Sequence, residues 1–266
     1  MIHIGDKYNT LIPNNPFSKT CGFFSDCGFR LYIIMNYYTN YEKLPDFIDG
    51  SKQFLLYKKN ADEDTTKDFF ADTDLTIEHK GPIDFYVIYQ NKEYKSLAYS
   101  HTTPFVKKYF SPSHFILDKK HKLLEKYTID PTNTIGVYYR GTDKKTEIEK
   151  VNYSEYMDKL KEIYTGTETI LIQSDEKQFI DYAKEIYPNC VVFTETKTST
   201  TDTGIHYENT KEENYNDIQY FFASVLILSE CKHIVLGISN CSLWMCLYRG
   251  NSTNIHQHFN GKFISS

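Results

Sequence analysis

The sequence predicts an α/β fold with a mainly parallel sheet. Two observations carry that expectation: short apolar runs alternate with amphipathic helices through the second half, and the longest of those helices keeps its apolar residues on one side. Residues 134–139 read as a buried strand and 153–164 as a helix. Residues 169–173 are a strand, followed by a helix over 176–186 that Pro188 stops. A strand over 190–193 precedes a long helix over 213–230, whose Ile218, Phe221, Phe222, Val225 and Leu226 fall on one face. A strand over 233–236, a helix starting near Asn240 and a last strand over 254–257 complete the alternation.

The first half is less regular. A turn at Gly22 leads into an apolar helix, 52–57 and 84–89 read as strands, and the acidic segment 62–74 between them reads as an exposed loop. An amphipathic helix over 117–127 ends at Asp130-Pro131, which marks the boundary between domains 1–130 and 131–266. Open α/β sheets bind ligands at the carboxyl ends of their strands, so two such sheets facing each other make a cleft between the halves.

Composition excludes several classes. A net charge of −5 over 266 residues gives no basic footprint for nucleic acid. No run approaches the roughly 18 apolar residues of a membrane helix, and no basic, apolar leader opens the chain, so the expectation is a cytoplasmic protein with no membrane span. Six irregularly spaced cysteines read as free thiols. The richness in Tyr, Asn, Lys and Ile reads as the bias of an AT-rich genome.

The chemistry concentrates in Ile135-Gly136-Val137-Tyr138-Tyr139-Arg140-Gly141-Thr142-Asp143. Arg140 is the first charge after a buried run, so it sits at a strand's carboxyl end. A planar, permanently charged fork there suits a diphosphate, on which negative charge grows when a nucleotide sugar breaks its glycosidic bond. From spacing alone, a solvated turn is the better explanation of the segment.

Residues 135–144 resemble the Ile-Gly-Val-His-x-Arg-Arg-Thr-Asp-Lys segment of the fucosyltransferase superfamily, which includes the α-1,6-, nodulation-factor and protein O-fucosyltransferases. The resemblance implies a GT-B-like glycosyltransferase with two Rossmann-like domains facing a cleft, the N-terminal one reduced and on the acceptor side. It implies that Arg140 binds the β-phosphate of GDP-fucose or a related GDP-sugar and is the catalytic residue. Two positions depart from the family: Tyr138 stands where it usually has His, and Gly141 where several members carry a second Arg. Further motifs follow in order. Gln173-Ser174-Asp175-Glu176 is similar to the family's Ala-Thr-Asp-Asp, which implies Asp175 and Glu176 near the nucleotide; both also suit a helix start capped by Ser174. Gly204-Ile205-His206 and Asn216-Asp217-Ile218 match the segments around the family's long helix, implying donor contacts for His206 and Asp217. Residues 233–244 place Ser239 and Asn240 at a helix start that meets the diphosphate, a natural anion site and equally an ordinary cap. Near the N-terminus, Gly22, Ser25 and Asp26 lie where the family has a turn facing the cleft.

The function implied is inverting, metal-independent transfer from a GDP-sugar to a glycan or other hydroxyl acceptor, with no cofactor and no metal ligands. His206 and Asp26 are both candidates for the base. Asp72-Thr73-Asp74 offers a second reading, a metal-dependent transferase, although a solvated loop explains it too. The departures at Tyr138 and Gly141 motivate a third, a glycan-binding module without catalysis. His256 and His258 share a strand face but have no third ligand nearby in sequence.

Overall fold

A computed structural model describes residues 3–5, 10–60, 62–78, 83–86, 88–146 and 150–266, with backbone alone for 3–5 and 145–146. The second half forms a five-stranded sheet in the order β5-β4-β6-β7-β8, from β4 (Thr134–Tyr139), β5 (Thr169–Ser174), β6 (His233–Leu236), β7 (Ile255–Phe259) and β8 (Lys262–Ser265). Four strands are parallel, and β8 returns antiparallel along β7. All six residues of β4 are buried because helices cover both faces, which is why this strand reads as one apolar run. α5 (Tyr153–Ile163) and α6 (Lys177–Ile186) cover one face, through Tyr156, Leu160, Phe179 and Ala183.

On the other face lies α8 (Lys211–Glu230), with α9 (Asn240–Arg249) beside it. α8 starts where Thr210 and Glu213 exchange hydrogen bonds, Thr210 N–H donating to Glu213 Oε2 at 2.7 Å and Glu213 N–H to Thr210 Oγ1 at 3.3 Å. From Phe222 to Ser229 α8 is buried all round, so it is an internal helix rather than a surface one. The N-terminal helix α1 (Phe23–Tyr41) packs there too: Phe23 and Phe24 meet Phe222 at ring-centroid distances of 5.9 and 5.7 Å, and Phe24 meets Trp244 of α9 at 6.1 Å. One apolar core therefore runs through both halves. Truncating a ring at its centre, such as Phe222, costs about 3–5 kcal/mol.

Among its described residues the first half holds three short strands, β1 (His3–Gly5), β2 (Thr10–Ile12) and β3 (Phe47–Ile48), with β2 antiparallel to β1 and parallel to β3. Helices α2 (Thr66–Phe69), α3 (Tyr99–Tyr109) and α4 (His114–Tyr127) fill the rest, α4 lying along α8. Three expected strands are corrected. Residues 52–57 are consecutive turns, with Phe54 at a φ of 56° burying its ring against Phe23. Residues 83–86 are irregular and Tyr89–Asn91 a short 3₁₀ turn; residue 87 lies outside the described residues. Residues 190–193 make a single bridge, Leu171 to Val191, and the Phe193 carbonyl accepts from Thr196 Oγ1 at 3.0 Å instead of continuing the ladder. Among the described residues no helix is long and apolar enough to cross a membrane.

Candidate functional site

β4 ends inside the molecule, so the residue that follows it emerges between the halves. Tyr138 is fully buried, with its hydroxyl beside the Cys241 thiol. Arg140 then turns its guanidinium among acceptors: Thr142 Oγ1 at 2.5 Å and the carboxylates of Asp143 and Asp175. Burial opposes the guanidinium charge, but its surroundings, Tyr138 and Asp143 among them, outweigh burial and raise its pKa. Asp175, at the end of β5, also accepts the Gly141 N–H at 2.8 Å and the Thr142 hydroxyl. The ends of the two neighbouring strands are thus stapled together, which fixes the arginine before any ligand arrives.

A cavity of about 330 Å³ opens at this point, bounded by the β4 and β5 ends, α8, α9 and the start of α1. Arg140, Asp175, His206, Asp217, Asn240, Gly22 and Ser25 all line it. His206 lies on α7 (Ile205–Glu208); burial, then the positive charge of Arg140, lower its pKa, so its ring is neutral at pH 7. Asp217, half-buried on α8, accepts from Asn209 Nδ2 at 2.8 Å, and burial raises its pKa.

Three of the sequence candidates lie behind the cavity wall. Glu176 is buried beside Gly141, where a Cβ would meet Glu176 Oε2 and lie 2.7 Å from its Cβ; its other oxygen pairs with Lys150 at 2.8 Å. An arginine at position 141 has no room. Ser239 caps α9, its hydroxyl accepting from Ser242 N–H at 2.9 Å. Asp26 is sealed from solvent and accepts from Asn15 Nδ2 and Ser18 Oγ, both at 2.7 Å, and from Phe54 N–H at 2.9 Å. It thereby pins the 15–21 loop, which forms a wall of the cavity. Asp72 and Asp74 are exposed and line no part of the cavity, and Asp72 lies 3.8 Å from Lys67. Among the described residues no group of three or more His, Cys, Asp or Glu is arranged to hold a metal ion.

The structure adds residues that sequence reasoning missed. Lys144 Nζ donates to Gln90 Oε1 at 3.0 Å, tying the loop after β4 to the first half. Tyr207 donates its hydroxyl to the Thr20 carbonyl across the cavity mouth. Asn214 lies one turn before Asp217 and lines the same cavity; helical spacing carried that signal, whereas nothing in the sequence marked Gln90.

No protein-family model matches the chain, and no curated protein matches its sequence. Solved structures do match. The crystal structure of NodZ alpha-1,6-fucosyltransferase co-crystallized with GDP aligns with a TM-score of 0.58 at 13% identity, covering 95% of this chain and 96% of that one. The fold is shared along nearly the whole chain. Fucosyltransferase NodZ from Bradyrhizobium aligns with a TM-score of 0.54 over the same shares at 13% identity, and its selenomethionine form at 0.58 with 12% identity over 95% of each chain. The α/β architecture is thus the GT-B-like fold of these structures.

Proposed function

We propose that this chain is a glycosyltransferase that takes fucose, or a related sugar, from a GDP-sugar and transfers it to a hydroxyl acceptor with inversion and without a metal. The carrying observation is Arg140, held by two carboxylates at the wall of the cavity, at the carboxyl end of an internal parallel strand of the sheet. A diphosphate in the cavity meets the guanidinium while the carboxylates hold it, and the charge that grows on the departing β-phosphate faces a fixed cation. Asn240 and the first N–H groups of α9 lie at the same wall and suit the same anion. Asp217 and the neutral His206 offer an acceptor and a donor–acceptor pair for the base and ribose. Asp175 positions Arg140, while Glu176 and Ser239 act through Gly141 and the start of α9. In this reading residues 131–266 bind the donor and 1–130 form the acceptor side. The unpaired state of all six cysteines fits a reducing, cytoplasmic setting.

Titration calorimetry with GDP in EDTA tests the proposal. Wild type binds, and Arg140→Ala loses about 2–4 kcal/mol, roughly 30- to 1000-fold in Kd. No binding by wild type, or equal binding by the variant, removes the assignment. Activity that requires Mn²⁺ removes the metal-independent mechanism.

A further inference from the structure

The cavity at Arg140 has a neighbour. A second hollow of about 430 Å³ opens at the carboxyl ends of β4, β6 and β7, and Arg140 and Lys144 line both. Strand register sets its floor. Tyr138 is paired with Leu236, and Leu236 with Gln257. The residues that follow them, Tyr139, Gly237 and His258, therefore form one row on one face. The middle of that row has no side chain; a Cβ on Gly237 would lie 2.5 Å from the Tyr156 hydroxyl.

His258 stands at the far end of the row. Its Nε2 lies 3.1 Å from Glu155 Oε2, while Glu155 Oε1 accepts from Asn152 at the start of α5. A carboxylate only accepts, so Nε2 carries a proton in this contact, and in the neutral ring Nδ1 is the acceptor. A histidine oriented in this way by a carboxylate can take a proton on its other ring nitrogen. The bland alternative is that the pair only ties β7 to α5. A tie does not require both partners to line an open hollow that shares an arginine with the neighbouring cavity.

We propose that the second hollow receives the acceptor, a hydroxyl-bearing compound of the sugar class, and that His258, oriented by Glu155, is the base that deprotonates it. The inference rests on the reading of Arg140 as the residue that meets the leaving diphosphate, and it moves the acceptor hydroxyl from the 1–130 side to a hollow lined by residues of the second half. The row places the backbones of Tyr139 and His258 two strand spacings apart, roughly 10 Å. Arg140, the residue after Tyr139, lines both hollows, so a donor held at its guanidinium and an acceptor beside His258 border the same residue. In the transfer, the acceptor hydroxyl gives its proton to His258 Nδ1, and its oxygen forms the new bond to the anomeric carbon. The bond from that carbon to the β-phosphate oxygen breaks, and its electron pair leaves with GDP. Glu155 balances the charge on the imidazolium until the proton passes to water.

The test uses the full chain, with GDP-fucose as donor and water in the acceptor's place. His258→Gln is expected to lower the hydrolysis rate by about 100-fold or more and to remove the acid limb of the pH–rate profile, with added imidazole restoring part of the rate. Its Kd for GDP and its melting temperature stay at the wild-type values. Glu155→Gln keeps the helix-start hydrogen bonds, since glutamine also serves there, and is expected to lose rate without losing GDP affinity. A His258→Gln protein with wild-type rate and an intact acid limb overturns the proposal. A wild-type protein that binds no GDP overturns the Arg140 reading, and the proposal falls with it. If hydrolysis is too slow to measure, the imidazole NMR signal of His258 in the GDP-bound protein decides: a panel of mono- and disaccharides shifts it, or, if none does, the proposal fails.

Discussion

Replacing Gly141 by alanine adds one methyl group at the most crowded point of the arginine loop. That carbon would lie 2.7 Å from Glu176 Cβ and against its Oε2. Carbon atoms rest at about 3.5–4.0 Å, so the β4 and β5 ends must part by roughly 1 Å. The Asp175–Gly141 hydrogen bond of 2.8 Å joins these two ends and resists the separation. Overpacking of this kind costs about 1–3 kcal/mol, which in a chain of this size lowers Tm by about 4–8 °C near the middle of that range. Glu176→Gly should cancel most of the loss, because it removes both clashing atoms and glycine is tolerated at a helix cap at a cost of a few tenths of a kcal/mol. Lys150, which loses its partner, is already 46% exposed. Thermal melts of wild type, both single variants and the double variant measure the coupling, expected at about 1–2 kcal/mol in favour of the double. GDP affinity should fall and recover in parallel, since Arg140 is the adjacent residue. A Gly141→Ala melt within about 1 °C of wild type, or a double variant that only sums the singles, refutes the packing argument.

Other outcomes follow from buried polar groups. Burial, then His233 and Lys159, lower His256 to about 4, so the unfolded chain takes up this proton first as pH falls. Stability should therefore decline from about pH 6.5 towards 4; the shift corresponds to roughly 3 kcal/mol, of which screening leaves about 1–2, and His256→Gln should flatten that part of a pH–melting curve. Asp26→Asn leaves one acceptor oxygen and an NH₂ facing three donors, so it should cost about 1–3 kcal/mol in chemical denaturation and loosen the 15–21 wall, read as faster proteolysis there.

The second half was legible in the sequence because its strands are buried on both faces and its helices are strongly patterned. β4, β6 and the end of α8 fall where the apolar periodicity puts them. The first half was not, because its aromatic residues pack from turns: Phe54 and Tyr57 look like a strand in sequence, yet each points into the core from irregular backbone. At the site, Arg140 was legible as a charge at the end of an apolar strand and Asp217 as a carboxylate beside the apolar stripe of a helix. Asp26 was visible as a residue, but its burial was not, since its three donors come from two segments distant in sequence. The hollow beside His258 depends on strand order, which no local pattern encodes.

The sequence contains a single tryptophan, and it sits where the two halves join. Trp244 is fully buried on the helix that begins at the cavity wall, with the ring of Phe110 at 4.7 Å and that of Phe24 at 6.1 Å, both contributed by the first half. Any hinge-like opening between the halves would slide those rings off the indole and admit water to it. The chain thus carries its own optical gauge at the seam: emission that stays blue while a ligand enters reports a rigid shell that fills through its loops, and a red shift reports a jaw.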